Sequence, residues 1–261
     1  MHFRIGIIIG RKLLNQMDQS KKVVFFPQDK RCLDGTIAPP ETSAKSIPQW
    51  YKDANKYELY AGKPASLEEV KKGLGHPTYK NCVSVFDSLS AGYIYVTPCD
   101  VEFSIDDMGK PIAKPERGYE EFVGYRGPTS GYVSGPEYSV HHFHWVPSWA
   151  ISTPEGYSCL YVHPLNREDL PFRTISGIID NDNVVMTGQY PFLIKEGYCG
   201  IIPKGTPIAQ LIPIKRENWE SEVQQMSKID IELHRTKMPY RYRKAKVNYY
   251  RDNNWVRKKY S

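Results

Sequence analysis

The sequence predicts a mainly β protein with a sandwich or barrel core, a short N-terminal helix, and a C-terminal helix followed by an extended arm. Short apolar segments recur between turn signals along most of the chain. The 261 residues include 19 tyrosines, 20 prolines and 19 glycines, a composition typical of short strands joined by exposed turns. Many short strands at this spacing are typical of sandwiches and barrels.

The N-terminal half begins with a strand and a helix. Lys22 to Gln28 predicts a first strand that Pro27 ends. Ser66 to Gly75 predicts a helix, because Ser66 is a good N-cap and Glu69 stands at the capping-box position. Val83 to Leu89 is compatible with either a strand or a short helix.

Strand patterns dominate the middle of the chain. Residues 110–137 are polar and lack periodicity, which predicts a long insertion loop within 108–140. We expect strands at 91–97, 101–105, 141–151, 157–163, 173–179, 190–194, 199–202 and 208–215.

The expected organisation is an N-terminal segment (1–21), a β-rich core (22–215) and a C-terminal extension (216–261). Asn218 to His234 predicts a helix, with Trp219, Val223, Met226 and Ile229 on one face. The apolar run near the N-terminus is too short for a signal peptide or a membrane span, so we expect neither. We expect translation to start at Met1, with Met17 as the alternative.

Three segments resemble the β-clip core of the trimeric dUTP pyrophosphatases and dCTP deaminases. Ser90 to Val96 with Asp100 to Phe103 is similar to that family's first motif, and Ser176 to Asp182 to its third. Pro191 to Gly197 and Lys204 to Ile212 are similar to the strand pair that follows. The resemblance implies a β-clip-like core and a homo-oligomer.

The residues that the resemblance requires for catalysis are missing. Ile94 stands where the first motif carries an Asp, and 163–166 reads His-Pro-Leu-Asn in place of an Arg-Ser pair. The tyrosine expected after Asp180 and the glycine-rich arm are also absent. Phosphoanhydride hydrolysis depends on this charge machinery. We therefore expect no catalytic residues and no cofactor, and at most a degenerate nucleotide site at Asp180, Asp182 and Gln210.

Asp180 and Asp182 could hold a cation or act as a general base, but carboxylates in such a sequence more often build a turn.

Histidines offer a second candidate site. His142 and His144 would share one face of a strand, and His163 could join them from another strand. No carboxylate follows them closely, so we expect no metal.

The five cysteines are odd in number and form no C-x-x-C pair, which favours reduced thiols.

The basic character of the chain belongs to its C-terminal tail. Ten Lys or Arg against one Asp give residues 235–261 a charge of +9, which leaves −3 for the remainder. Bases and aromatic rings alternate there, which favours docking on a partner subunit, with nucleic-acid binding as the alternative. The candidate docking residues are Arg241, Tyr242, Arg243, Lys244, Tyr249, Tyr250, Arg251, Trp255, Arg257, Lys258, Lys259 and Tyr260.

Over its whole length the chain resembles an uncharacterised family of proteins from tailed bacteriophages, especially large marine ones. The blocks that carry this likeness include Ile47 to Lys52, Gly156 to Asp180 and Gly200 to Glu217. The resemblance implies a phage gene product that is part of the virion. Together with the missing catalytic residues and the basic tail, it predicts a non-enzymatic structural or assembly protein that binds neighbouring capsid, neck or tail subunits through its loops and its C-terminal arm. Such a protein is present in the host cytoplasm during assembly. The alternatives are a dUTPase-like nucleotide-binding protein or hydrolase, and a nucleic-acid-binding accessory protein.

Overall fold

The structure is a computed structural model that describes residues 22–128, 132, 135–244 and 248–261, with the side chains of 237–244 excluded. The segment 1–21 therefore lies outside the described residues. The predicted mainly β fold is confirmed, because strands far outnumber helices in the described chain. The sixteen strands are β1 (Val24–Pro27), β2 (Glu41–Thr42), β3 (Tyr57–Leu59), β4 (Gly75–Pro77), β5 (Tyr93–Val96), β6 (Val101–Ile105), β7 (Pro111–Pro115), β8 (Val123–Pro128), β9 (Tyr138–Trp145), β10 (Trp149–Ser152), β11 (Tyr157–Val162), β12 (Phe172–Thr174), β13 (Gly177–Ile179), β14 (Tyr190–Lys195), β15 (Gly200–Ile202) and β16 (Pro207–Lys215).

Six α-helices accompany the strands in the described chain, and most are short. The capping box predicted at Ser66 and Glu69 is present, with both reciprocal hydrogen bonds formed. Val83 to Ser90 is a helix, which resolves the ambiguity left by the sequence. The helices are α1 (Lys30–Leu33), α2 (Gln49–Asp53), α3 (Leu67–Lys71), α4 (Val83–Ser90), α5 (Lys228–Lys244) and α6 (Tyr249–Asn253).

The described chain divides into two compact units. Unit 1 contains residues 22–46 and 91–216 with Tyr260, and unit 2 contains 47–90 and 217–259 with Ser261. The predicted organisation differs, because it placed residues 47–90 in one core with 91–215. Among its described helices, none combines the length and the apolar character that a membrane span needs.

Unit 1 consists of four antiparallel sheets around one core. The five-stranded sheet has the order β13-β11-β16-β5-β2, and the four-stranded sheet has the order β12-β14-β9-β8. A three-stranded sheet (β15-β6-β7) and the pair β1-β10 complete the unit. β16 is flanked on both sides, by β11 and β5. Both of its faces are buried from Pro207 to Leu211, as expected of a central strand that both neighbours and the core cover.

The core of unit 1 is built from aromatic rings. Trp145 stacks on Phe192 with 3.9 Å between ring centroids and 9° between planes. Phe172 meets both rings edge-on, and Phe143 stacks on the other side of Phe192 at 5.6 Å. Each ring is at most 2% exposed. Burying a large aromatic side chain contributes about 2 to 3 kcal/mol, so this cluster is a principal source of stability for unit 1.

Unit 2 is smaller and contains the two-stranded antiparallel sheet β3-β4 with helices α2, α3 and α4. The hydroxyl of Thr78 donates to the carbonyl of Asn55, and the hydroxyl of Tyr51 donates to that of Lys80 at 3.3 Å. These bonds join residues 51–55 to residues 78–80. The helices α5 and α6 come from the C-terminal segment and belong to the same unit.

Several predicted elements are wrong. Residues 110–137 contain β7, paired with β6, and β8, paired with β9, so they are not simply a long loop. The predicted strand 173–179 is two strands in different sheets, and 141–151 is divided between β9 and β10. Helix α5 begins at Lys228 rather than Asn218 and continues past Pro239, where the sequence predicted an extended arm.

The backbone at Gly92, directly before β5, closely approaches the backbone at Leu211 of β16. Its φ is +65°, and a Cβ there would lie 2.0 Å from the carbonyl oxygen of Leu211. Gly205 is also left-handed, at +82°, but a Cβ there meets nothing within 4 Å. We expect Gly205→Ala to cost about 1 kcal/mol of unfolding free energy, from backbone strain alone. Gly92→Ala should cost about 3 kcal/mol or more, because the backbones must also move apart.

Urea denaturation of the two glycine variants measures this difference. Equal destabilisation by Gly92→Ala and Gly205→Ala would contradict the close packing of β5 on β16.

Candidate functional site

Asp180 and Asp182 lie directly after β13, and both form ion pairs with the same arginine. Arg216, directly after β16, donates to Asp182 through Nη1 at 2.8 Å and through Nη2. The backbone N–H of Gly156 donates to the same carboxylate at 2.9 Å, and the Asp182 side chain is only 4% exposed. Asp180 is 54% exposed and accepts a hydrogen bond from Ser158 at 2.6 Å, with Arg216 Nη1 3.4 Å away.

This geometry leaves Asp182 poorly suited to acid–base chemistry. The bidentate hydrogen bonds from Arg216 lower the pKa of Asp182 below its usual value of 3.8, while burial acts in the opposite direction. The carboxylate is therefore ionised at neutral pH, with Arg216 and Gly156 as its partners. An activating base needs an acceptor directed at its substrate. Here the carboxylate oxygens of Asp182 accept hydrogen bonds from Arg216 and so hold the 180–183 turn at the end of β16.

Gln210 does not join these carboxylates. Its amide nitrogen donates to the carbonyl of Ala91 at 2.7 Å, and its oxygen accepts from the N–H of Leu165 at 2.9 Å. In the β11-β16 pair Gln210 lies opposite Val162, whereas Ser158, the partner of Asp180, lies opposite Ile214. Four residues of strand separate the two places, roughly 13 Å. The three residues of the predicted nucleotide site are thus not brought together.

The three histidines do not converge on one point either. His163 accepts from the N–H of Thr174 at Nδ1 (3.2 Å), so its Nε2 carries the proton and donates to the carbonyl of Arg167 at 3.1 Å. His142 and His144 lie on β9, and burial lowers the pKa of both. The ring of His144 lies where a Cβ on Gly124 would be. Nowhere in the described chain do three or more His, Cys, Asp or Glu side chains gather as a metal site requires.

Part of the basic tail folds back onto unit 2. Asn81 donates to Asn248 at 2.7 Å and accepts from Arg251 at 3.1 Å. Asp87 on α4 accepts from Trp255 Nε1 at 2.9 Å and from Lys258 at 2.6 Å. These predicted docking residues therefore contact their own chain.

The remaining predicted tail residues have varied surroundings. Arg257 lies over the ring of Phe86, Tyr260 meets Tyr93 edge-on at 6.2 Å, and Tyr250 and Lys259 are exposed. Tyr249 opens α6 and is half-buried. The side chains of Arg241, Tyr242, Arg243 and Lys244 lie outside the described residues.

The segment before the tail exposes the largest apolar side chains. All twenty residues from 217 to 236 are exposed. Trp219 is 85% exposed and Val223 94%, both in the irregular stretch ahead of α5. Residues 217–234 are hereafter called the apolar segment. Its exposed apolar side chains are Trp219, Val223, Met226, Ile229, Ile231 and Leu233.

Two features of the structure were not predicted. Arg216 was counted as the first residue of the C-terminal extension and given no role, although an arginine at the end of a nearby strand is a natural partner for an Asp-Asn-Asp turn. The exposure of Trp219 and its neighbours was also missed, because helical spacing of apolar residues normally indicates burial.

The comparisons with known proteins give little further information. No known protein family and no curated protein matches the chain. Two chains among solved structures match. One is a mutant dUTPase from phage phi11 of S. aureus that coordinates a structural Mg(II) ion. It is 15% identical, covers 53% of this chain and 84% of its own, and gives a TM-score of 0.27. So low a likeness supports no conclusion about activity, and the β architecture rests on the strands described above.

Asp182→Asn tests the structural role of the acidic turn. The variant loses an ion pair and leaves Arg216 with a weaker acceptor, so we expect a loss of about 2 kcal/mol in unfolding free energy at pH 7. Asp180→Asn is the matched control and should cost about 0.5 kcal/mol, because that carboxylate is half exposed.

The pH dependence of Asp182→Asn follows from the lowered pKa of Asp182. The stability that the carboxylate contributes is present above pH 4 and is lost as the pH falls through its folded pKa. The gap between wild type and Asp182→Asn should therefore close in acid, as measured by urea denaturation from pH 7 to pH 3. A gap that is constant over this range would contradict the assignment.

Proposed function

We propose that this chain is a non-enzymatic structural or assembly protein of a tailed-phage particle, which binds a neighbouring subunit through its apolar segment. The observation that carries the proposal is the exposure of six large apolar side chains within twenty consecutive residues. Single exposed apolar residues are ordinary on protein surfaces, but a contiguous set of this size is typical of an interaction site.

The chemistry of the apolar segment suits a protein partner. Residues 217–234 contain five carboxylates and one lysine between the apolar positions, a net charge of −4 with His234 neutral. Trp219, Val223, Met226 and Leu233 would share one stripe if the helix extended back through the irregular stretch. An amphipathic helix with such a stripe fits a groove on a partner. The irregular residues ahead of α5 would then fold on binding, with the ordering cost offset by burial of these side chains.

The surroundings of the predicted site residues favour a binding role over hydrolysis. Asp182 is bound by Arg216 and the N–H of Gly156, and Gln210 bridges two backbone groups. A triphosphate hydrolase needs carboxylates and cations that converge on one reacting group. Placement in the virion, and in the host cytoplasm before assembly, is supported by the whole-length resemblance to phage proteins. Oligomerisation with copies of itself and with other virion subunits belongs to the same proposal.

Substitution of two exposed residues tests the apolar segment. We expect Trp219→Ser combined with Val223→Ser to leave the melting temperature unchanged, since changes at exposed positions alter stability by about 0.5 kcal/mol or less. Incorporation of the variant into particles, measured by quantitative mass spectrometry, should fall about tenfold or more.

The matched control is Met108→Ser with Leu33→Ser, which removes two equally exposed apolar side chains elsewhere. This control should be incorporated like the wild type. Normal incorporation of the Trp219 and Val223 variant would contradict the role of the apolar segment. Absence of the wild-type chain from purified particles would contradict its placement in the virion.

A further inference from the structure

Unit 2 contains a cavity of about 220 Å³ that the proposed docking role does not use. It lies where the returning tail meets the turn before α4. Three cations and three aromatic rings contribute to its wall, together with Asn81, Cys82 and Val83. The cations are Lys80, Arg251 and Arg257, and the rings are Tyr51, Phe86 and Trp255.

Uncharged groups hold two of the cations of this cavity, Lys80 and Arg257. Lys80 Nζ donates to the carbonyls of Tyr51 (2.5 Å) and Lys52 (2.8 Å) and lies 4.9 Å from the centre of the Tyr51 ring. Arg257 lies 5.8 Å from the centre of the Phe86 ring. Carbonyls and ring faces hold a cation in place without neutralising it.

The nearby carboxylates do not cancel this charge. Asp87 is bound by Lys258 at 2.6 Å and by Trp255, and Asp252 meets Arg251 at 3.4 Å. Within the described contacts, these two carboxylates pair with Arg251 and Lys258, whereas carbonyls and ring faces hold Lys80 and Arg257, so positive charge remains beside the cavity. An anion therefore gains from entering.

The aromatic rings of the cavity favour a ligand that carries a planar group as well as negative charge. Phe86 and Trp255 pack edge to face, with 6.4 Å between centroids and 81° between planes. Tyr51 lies 6.5 Å from Phe86, and Trp255 is half-buried. A planar, polarisable group fits beside such rings, and base stacking on aromatic side chains is a strong, sequence-tolerant contact.

We propose that this cavity binds one nucleotide unit, with the phosphate on Arg251 and Arg257 and the base against Trp255 or Phe86. Two sources carry this chemistry, a free nucleotide and a nucleotide within a single-stranded nucleic acid. An acidic peptide would satisfy the cations but offers no base to stack. The inference stands apart from the docking proposal, because it uses neither the apolar segment nor the acidic turn of unit 1.

Cys82 provides a direct readout of occupancy. Its thiol is exposed and lines the cavity, and Cys199, also exposed, lies in unit 1 and serves as an internal control. The rate of alkylation of each thiol by iodoacetamide is measured by mass spectrometry on the full chain. The probes are dAMP, a twelve-residue single-stranded oligonucleotide, and a poly-glutamate peptide with the same net charge as the oligonucleotide.

We expect a nucleotide probe to slow alkylation of Cys82 about threefold or more and to leave Cys199 unchanged. Protection by dAMP supports a free nucleotide as the ligand, and protection by the oligonucleotide alone supports a strand. Protection by neither probe would overturn the proposal, as would equal protection by poly-glutamate.

Two charge-matched variants separate the cavity from general electrostatic attraction. Arg257→Gln removes a cation that lines the cavity, and Lys259→Gln removes a cation from the same segment that does not line it. Arg257→Gln should raise the probe concentration needed for half-maximal protection of Cys82 about tenfold, and Lys259→Gln should leave that concentration nearly unchanged. Equal Cys82 reactivity of both variants without ligand shows that the cavity is intact. Equal weakening by both would overturn the site.

Discussion

The stacking of Trp145 on Phe192 is the interaction on which unit 1 depends. The two rings come from β9 and β14, neighbours in one sheet, and their planes differ by only 9°. The core cluster that contains this pair includes residues from four sheets. Because protein interiors are packed as densely as organic crystals, large rings at the centre of the cluster limit how closely these sheets can approach one another.

Buried polar side chains of unit 1 serve mainly to join strands. The Thr174 hydroxyl donates to the carbonyl of Ile208 at 2.5 Å, and Gln210 bridges Ala91 and Leu165. Such bonds satisfy groups that would be costly to bury alone. The Asp182–Arg216 pair is the equivalent device at the sheet's edge. Carboxylates and amides used in this way stabilise the scaffold of unit 1.

The C-terminal third has the opposite character. The apolar segment is exposed and acidic, whereas the tail after it is basic and partly folded onto unit 2. Attractions within the chain therefore account for some of the tail's basic residues. The apolar side chains of residues 217–233 have no such use in the described chain, which is why the functional proposal rests on them. The cavity for which we propose a nucleotide ligand lies where the returning tail meets α4.

Local signals explain which parts of this fold the sequence could predict. The first strand and the Ser66 capping box follow from residues close together in the chain, and both are present. β7 and β8 were missed because their stability comes from pairing with β6 and β9, which a polar, proline-bearing sequence does not reveal. The resemblance to nucleotide hydrolases grouped Gln210 with Asp180, but strand register separates them. Helical spacing around Trp219 predicted a helix and could not show that no described part of the chain covers these apolar side chains.

Hydrogen exchange of the backbone amides tests the central claim most directly, when the free chain is compared with the chain in assembled particles. In the free chain, amides of 218–227 are irregular and exposed, so they should exchange at close to unprotected rates. In particles we expect these amides to become protected by about two orders of magnitude, while the amides of β16 stay equally slow in both states. Rapid exchange of 218–227 in the particle would contradict the account, because the apolar segment would then have no partner there.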